Sequence, residues 1–303
     1  MPSFSFSESP SPEPQYDQIG PKFNVLQTLP ISVIQTHNLR RTLTPLLQDG
    51  GGRVLDLACG TGMHTTTILS CGASYVLGID ISAEMIRTAE RTHHSLLSNT
   101  EEGLIRGPVK FMTGDATTLG LIADEPKGFD VVLGSWLLNY ASTPKEMTSM
   151  FQTIAANLKP GGVFVGLTLR PVCRSNIEAY GEVINKYEAK RPGRWGLALD
   201  YHTPIVTSSE DDGEETTEGW QETLTMGVGD KMVKFENYHL CREVYEEAAL
   251  AGDMRGKFEW RKVEVPREAI RIWGEEFWKT YKLEGPWIGL IVVGKDHDDD
   301  ILD

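Results

Sequence analysis

Residues 54–62, VLDLACGTG, constrain this chain more than any other stretch. A run of apolar, strand-forming residues feeds directly into a turn with glycines at 60 and 62. A second apolar run, from Tyr75 to Ile79, ends on an acid, Asp80. In doubly wound α/β sheets, ligands sit outside the carboxyl ends of the strands. A glycine turn there lets the backbone approach a cofactor, and an acid about 20 residues further on accepts from ribose hydroxyls. The two runs together predict an α/β sheet that binds a nucleoside-bearing cofactor.

The glycine spacing narrows the cofactor. A dinucleotide site calls for G-x-G-x-x-G, the third glycine allowing close helix packing, and Thr65 stands in that third place. A carboxylate at Asp56, four residues ahead of Gly60, repels phosphate and attracts a cation or an amine. Asp56, Ala58, Gly60 and Gly62 in this spacing resemble the first motif, D-x-A/G-x-G-x-G, of the class I S-adenosylmethionine (SAM) dependent methyltransferases. Further matches follow in chain order. Asp80-Ile81-Ser82-Ala83-Glu84-Met85 resembles the second motif, with Ser82 placed to cap a helix and Glu84 in a first turn that favours negative charge. Residues 109–112 read as a strand ending at Gly114-Asp115-Ala116, residues 129–136 as a fourth strand delivering Ser135 and Trp136, and Pro160-Gly161-Gly162 as the lead into a fifth.

The resemblance implies a Rossmann-like seven-stranded sheet, mostly parallel with a terminal antiparallel hairpin, carrying a substrate-cap insertion. It implies SAM as cofactor, with S-adenosylhomocysteine as product. The residues it assigns to the cofactor are Tyr16, Asp56, Ala58, Gly60, Gly62, Met63, Asp80, Ile81, Met85, Gly114, Asp115, Ala116 and Ser135. Within these, Asp80 is expected on the ribose, Asp115 on the adenine amino group and Tyr16 over the methionyl end.

Organisation follows from patterning. Residues 1–14 are rich in Ser and Pro and read as a disordered tail. Residues 15–295 read as one methyltransferase domain, with a helical cover over 15–48 running through Ile34, Leu39, Leu43 and Leu46 and a cap insertion over 171–240. Residues 296–303 read as an acidic tail. Thr143, Pro144 and Glu146 form a helix start of the capping-box type, followed by Met147, Met150, Phe151, Ile154 and Leu158 at helical spacing. Within the cap, a helix is expected through Ile177, Tyr180, Val183, Ile184 and Tyr187, then loops, then a hairpin around residues 227–230. The acidic stretch 208–219 reads as a solvated loop. Strands over 258–265 and 288–294 are expected to close the sheet as an antiparallel pair, separated by a helix through Ile270, Trp273, Phe277 and Trp278.

A formal charge of −14 argues against a nucleic-acid substrate, because phosphate backbones are bound through clustered Lys and Arg. A small molecule, or a protein with a basic patch, is therefore the expected methyl acceptor. Cys59, Cys71, Cys173 and Cys241 have neither C-x-x-C spacing nor a His at metal-ligand intervals, so no metal or disulfide framework is predicted. The sequence contains neither a signal-peptide pattern nor an apolar run of membrane-spanning length, so no membrane association and a cytoplasmic location are expected.

For the acceptor side, Trp136, Asn139, Tyr140, Tyr201 and Trp220 are the expected pocket residues. His202, His239 and Tyr140 are the candidates for catalysis, and His64 lies just after the glycine turn. Residues 238–248 and the late Phe277-Trp278 followed by Pro286 resemble methyltransferases of fungal and bacterial secondary metabolism. These include the toxoflavin N-methyltransferases and the dithiol bis-thiomethyltransferases of gliotoxin-like compounds, which implies S-, N- or O-methylation of a natural product. Two other readings stay open: a non-catalytic SAM-binding regulator or scaffold, and an NAD(P)-dependent oxidoreductase, which shares the fold but lacks its third glycine here.

Overall fold

The computed structural model describes residues 29–48, 51–99, 107–125, 127–188, 197–208, 213, 215–226, 232–284 and 288–296. The apolar runs form five parallel strands: β1 (Arg53–Leu57), β2 (Tyr75–Asp80), β3 (Val109–Thr113), β4 (Phe129–Ser135) and β5 (Leu158–Leu169). The sheet is completed by β9 (Phe258–Arg261) and β10 (Ile288–Gly294). Its seven strands run in the order β3-β2-β1-β4-β5-β10-β9, and β10 is antiparallel to both of its neighbours. The order reverses between β1 and β4, so the carboxyl ends of β1, β2 and β4 open onto a crevice between connections that depart in opposite directions.

Both faces of the sheet are covered, which is why its strands read as continuous apolar runs rather than alternating ones. Val54, Val76, Leu133 and Leu167 point into one core, and Leu55, Leu77, Val132 and Phe164 into the other. The first core is covered by α1 (Pro30–Leu47), α2 (Thr65–Ser70), α7 (Arg267–Trp273) and α8 (Glu275–Glu284). The second holds α4 (Pro144–Asn157) and α6 (Arg242–Ala251). Between β2 and β3 runs α3 (Ala83–Asn99).

The start of α4 follows the local chemistry. Thr143 Oγ1 accepts from the Glu146 backbone N–H at 3.2 Å, and Pro144 takes the first helical position. The Glu146 carboxylate reaches back to the N–H and hydroxyl of Ser142, both at 2.7 Å, one residue beyond the usual return partner.

The described residues of 171–240 include α5 (Arg174–Glu188) and a second, three-stranded antiparallel sheet ordered β6-β7-β8, formed by β6 (Leu197–Ser208), β7 (Glu215–Met226) and β8 (Val233–Leu240). The helix and the β7–β8 hairpin were expected; β6 corrects a stretch expected as loop. Leu197, Leu199 and Tyr201 are buried at every second position of β6, the alternation of a strand covered on one side. The acidic stretch also differs from expectation, since Glu215, Thr216 and Thr217 pair with Ser208, Thr207 and Val206.

Other departures have local causes. The helix expected through Ile270 and Trp278 is broken into α7 and α8 at Gly274, whose φ of 84° belongs to the left-handed region. Strand β9 ends at Arg261, shorter than expected. In α1, Leu47 is buried where Leu46 had been expected and Leu46 is exposed. The segment before residue 29, with the proposed N-terminal tail and Tyr16, and residues 297–303 of the proposed acidic tail lie outside the described residues; Asp296 accepts from the Gly161 N–H at 2.8 Å. Among the described residues no helix is long and apolar enough to cross a membrane, and no cluster of His, Cys, Asp and Glu is arranged to hold a metal.

Candidate functional site

Two cavities open along the carboxyl ends of the strands, and they share Ala58, Asp80 and Tyr140. The first, about 1050 Å³ including its mouth, runs from the glycine turn beneath the cap sheet. The second continues over the end of β2 toward the loop after β3. They form one cleft with a neck.

The turn after β1 is built by backbone conformation. Ala58, Gly60 and Gly62 have φ of 59°, 54° and 75°, so the chain folds back within a few residues. Glycine tolerates this region, whereas an L-residue such as Ala58 is strained there by about 1–2 kcal/mol. The Cys59 N–H donates to the Ile79 carbonyl at 2.9 Å, which ties the turn to β2. Asp80 fixes it from the other side: its carboxylate accepts from the Gly60 N–H at 2.8 Å and the Ser82 N–H at 2.9 Å. Ser82 in turn caps α3, its Oγ accepting from the Met85 N–H at 3.2 Å.

Asp56 lies under this turn and is 1 % exposed, and neither of its carboxylate oxygens has a hydrogen-bond partner among the described residues. Burial, and then the nearby Asp80 charge, raise its pKa to about 8. The same burial and the same two acids push the Cys59 thiol upward. Asp115, in the loop after β3, accepts from the Thr117 N–H at 2.8 Å and the Thr117 hydroxyl at 2.7 Å. His64 is buried beside the first cavity with Nε2 3.1 Å from Ser135 Oγ, and burial lowers its pKa to about 4. It is neutral near pH 7.

At the end of β4 the chain takes an unusual step. Trp136 has φ of 63°, a conformation costly for a bulky side chain, and is held by its N–H on the Leu167 carbonyl at 2.8 Å. Such strain persists where surrounding structure enforces it, typically at binding sites. A short 3-10 turn, Leu138–Tyr140, follows and brings Tyr140 to the neck.

The expected cofactor residues converge. Ala58, Gly60, Met63, Asp80, Met85 and Ser135 line the first cavity, while Ile81, Gly114, Asp115 and Ala116 line the second. Asp56 and Gly62 support the turn without lining either cavity. On the acceptor side, Trp136 and Tyr140 are in the lining and the other candidates are not. Asn139 is buried toward the sheet, accepting from Thr168 Oγ1 at 2.9 Å. Trp220 donates through Nε1 to the Ile177 carbonyl at 2.7 Å. Tyr201 is bonded to His239 Nδ1 at 2.7 Å, and His239 Nε2 to the Arg170 carbonyl at 2.8 Å, so both ring nitrogens are committed. His202 points away, on the outer side of β6 beside Glu236 at 3.0 Å.

Several lining residues had no local signal in the sequence. Ile31, Ser32 and Gln35 of α1, Leu199 of β6, Leu224 of β7 and Phe235 and Asn237 of β8 reach the first cavity only because the cap sheet and α1 fold over the same face. Their alternation along the strands could have marked them as inward-facing, though not which element they face. Neither cavity is lined by Lys or Arg among the described residues. With Asp80 and Asp115 along the two cavities, the site favours a cationic nucleoside and disfavours a pyrophosphate.

Residues 54–162 match the family model of a methyltransferase domain. The demethylmenaquinone methyltransferase of Renibacterium salmoninarum is 30% identical over 50% of this chain and 55% of its own length. The mRNA cap guanine-N(7) methyltransferase of Eremothecium gossypii is 28% identical over 70% of this chain and 51% of its own. The chain thus spans about half the length of these curated relatives. A solved structure from Pyrococcus horikoshii OT3 superposes with a TM-score of 0.50 at 20% identity, covering 87% of this chain and 89% of the other, a likeness of fold.

Proposed function

We propose that this chain, whose residues 54–162 match a methyltransferase domain, is a class I SAM-dependent methyltransferase that transfers the cofactor's methyl group to a small, largely apolar molecule held under the cap sheet. The single observation that carries the reading is the neck: Ala58, Asp80 and Tyr140 border both cavities, so a cofactor with its adenosyl end in the second cavity can present its reactive group in the first, beside a molecule held there. Asp80 at the end of β2, Asp115 after β3 and the lack of lining Lys or Arg among the described residues all fit a group bearing positive charge.

In this reading Asp115 holds the adenine edge, Asp80 the ribose hydroxyls, and the turn from Gly60 to His64 the methionyl end. SAM supplies an electrophilic methyl carbon bound to a sulfonium. The protein's work is alignment and dryness: charge is lost as an anionic nucleophile meets the sulfonium, so an apolar enclosure assists the step. Trp136 and Tyr140 present aromatic faces suited to a cation. The relatives differ in the acceptor their names state, so the acceptor is argued from the chamber. Leu197, Leu199, Leu224, Met226 and Phe235 line it, which suits a hydrophobic molecule of the kind secondary metabolism produces, with S, N or O as nucleophile. The charge of −14 disfavours RNA.

The test is calorimetric titration with SAM and with NAD, followed by incubation with labelled SAM and a panel of hydrophobic thiols, phenols and amines. SAM binding without NAD binding, and label on at least one acceptor, are expected. SAM binding with no label transferred above buffer would move the reading to a non-catalytic SAM-binding protein.

A further inference from the structure

The cap sheet closes the first cavity with apolar side chains and one amide. Leu197 and Leu199 of β6, Leu224 and Met226 of β7, and Phe235 and Asn237 of β8 line it from that side, and Asn237 is the polar one among them. It is 2 % exposed, and its Oδ1 has no hydrogen-bond partner among the described residues. Directly opposite it on β7 stands Glu222. Glu222 shares the inward face with Leu224 and Met226, two and four residues on. It is 0 % exposed, and neither carboxylate oxygen has a partner among the described residues. Side chains directly opposed on one face of an antiparallel pair have their Cβ atoms about 4.5–5.5 Å apart. Three buried acceptor oxygens therefore stand together in the roof of an otherwise apolar chamber.

The donors nearby are committed elsewhere. Tyr201, across from Glu222 on β6, donates its hydroxyl to His239 Nδ1, because the Arg170 carbonyl fixes the His239 proton on Nε2. Trp220 gives its indole N–H to the Ile177 carbonyl. The Tyr245 hydroxyl is bonded to Thr168 Oγ1 at 3.0 Å. The other titratable groups that act on this carboxylate or feel it are Glu236 of β8, Tyr140 after β4, Tyr180 of α5 and Tyr245 of α6, none of them a cation. The Arg170 guanidinium lies over the Tyr180 ring, 5.9 Å from its centroid. Buried acceptors without donors are costly and rare. Enclosed without a countercharge, Glu222 favours its protonated form, burial raising its pKa to about 8. What the three oxygens lack is a group rich in donors, free of acceptors and positively charged. An ammonium meets all three conditions, whereas a hydroxyl brings one donor and two lone pairs that would face these oxygens.

We propose that Asn237 and Glu222 form an amine-recognition subsite in the roof of the acceptor chamber: Asn237 Oδ1 accepts from an N–H of the acceptor, Glu222 supplies the opposing charge, and the apolar lining holds the rest of the molecule. The inference rests on the methyltransferase reading above and narrows its acceptor to an apolar compound bearing an amine. Asn237 is the specificity-determining contact, and Glu222 a positioning residue that acts from across the strand pair.

The experiment uses the full chain saturated with S-adenosylhomocysteine, so that no methyl group is transferred, and calorimetric titration with matched probes. Phenyl, naphthyl and indolyl bodies each carry an ethylamine, an ethanol or a propyl chain, so that only the terminal ammonium, hydroxyl or methyl differs. Wild type is expected to bind the amine of at least one body about 10- to 100-fold more tightly than its alcohol and alkyl counterparts, the worth of one charge-assisted hydrogen bond. Asn237→Leu and Glu222→Gln should each remove that preference, leave the affinities for the alkyl probe and for S-adenosylhomocysteine unchanged, and melt no lower than wild type. Lys234→Gln, at an exposed outward position of β8, should keep the preference. A wild type that binds no amine of the panel, or binds none better than its alkyl counterpart, overturns the proposal. So do variants that keep the amine preference, and variants that lose amine and alkyl affinity together, the mark of a purely structural role. A wild type that binds neither SAM nor S-adenosylhomocysteine overturns the methyltransferase reading instead, and the amine preference, read without cofactor, still decides the subsite.

Discussion

Replacing Asp80 by Ala tests the cleft at its most connected point. In the free protein the Asp80 carboxylate accepts two backbone N–H bonds, from Gly60 and Ser82, and hydrogen bonds to a charged group contribute about 1.5–3 kcal/mol each. Removing them leaves the Gly60 and Ser82 N–H groups without that acceptor. Ser82 is fully buried, so an orphaned N–H there costs about 1–3 kcal/mol. Part of this is offset, because Asp80 also raises the pKa of the buried Asp56, and that repulsion disappears with it. The variant should therefore fold, with a stability loss of roughly 1–3 kcal/mol. Cofactor binding loses more. If Asp80 holds two ribose hydroxyls, the loss is about 3–6 kcal/mol, or on the order of 10²- to 10⁴-fold in affinity. Asp80→Asn keeps one acceptor and should fall between Ala and wild type. Titration calorimetry reads the affinity, and thermal melting supplies an independent measure. SAM at a hundred times its Kd stabilises wild type by about 2.7 kcal/mol, and that increment should vanish in Asp80→Ala at the same concentration. A variant whose SAM affinity lies within threefold of wild type refutes the assignment of Asp80 to the ribose, and with it the placing of the nucleoside over β2.

Two further changes test the interior. The raised pKa of Asp56 means the folded protein keeps a proton that the unfolded chain loses between about pH 4 and the folded value of about 8. This group therefore lowers stability as pH rises through that window, and by several kcal/mol at its upper end. Asp56→Asn should be more stable than wild type at pH 8, with the gap closing toward pH 4, and should bind SAM more weakly; urea midpoints at both pH values check the first part. At the start of α4, Thr143→Ala removes the acceptor for the Glu146 N–H and should cost about 1 kcal/mol in urea unfolding with no change in SAM affinity.

The divide between what the sequence carried and what the fold decided follows the range of the forces involved. The seven-stranded sheet, the glycine turn after β1, the acid ending β2 and the capped start of α4 were all legible, because each depends on contiguous residues: an apolar run, a positive φ, a side chain bonding to a backbone group a few positions away. The shape of the acceptor chamber was not. Glu222 and Asn237 are ordinary strand residues until β7 is laid against β6 and β8. Tyr201 read as a pocket aromatic until His239, itself held by the Arg170 carbonyl, claimed its hydroxyl. Trp220 and Asn139 were drawn off by partners at Ile177 and Thr168, distant in the chain. Burial and hydrogen-bond competition between remote segments are settled only when the cap sheet closes over β4 and α1, and those are the quantities that determine which groups meet a bound acceptor.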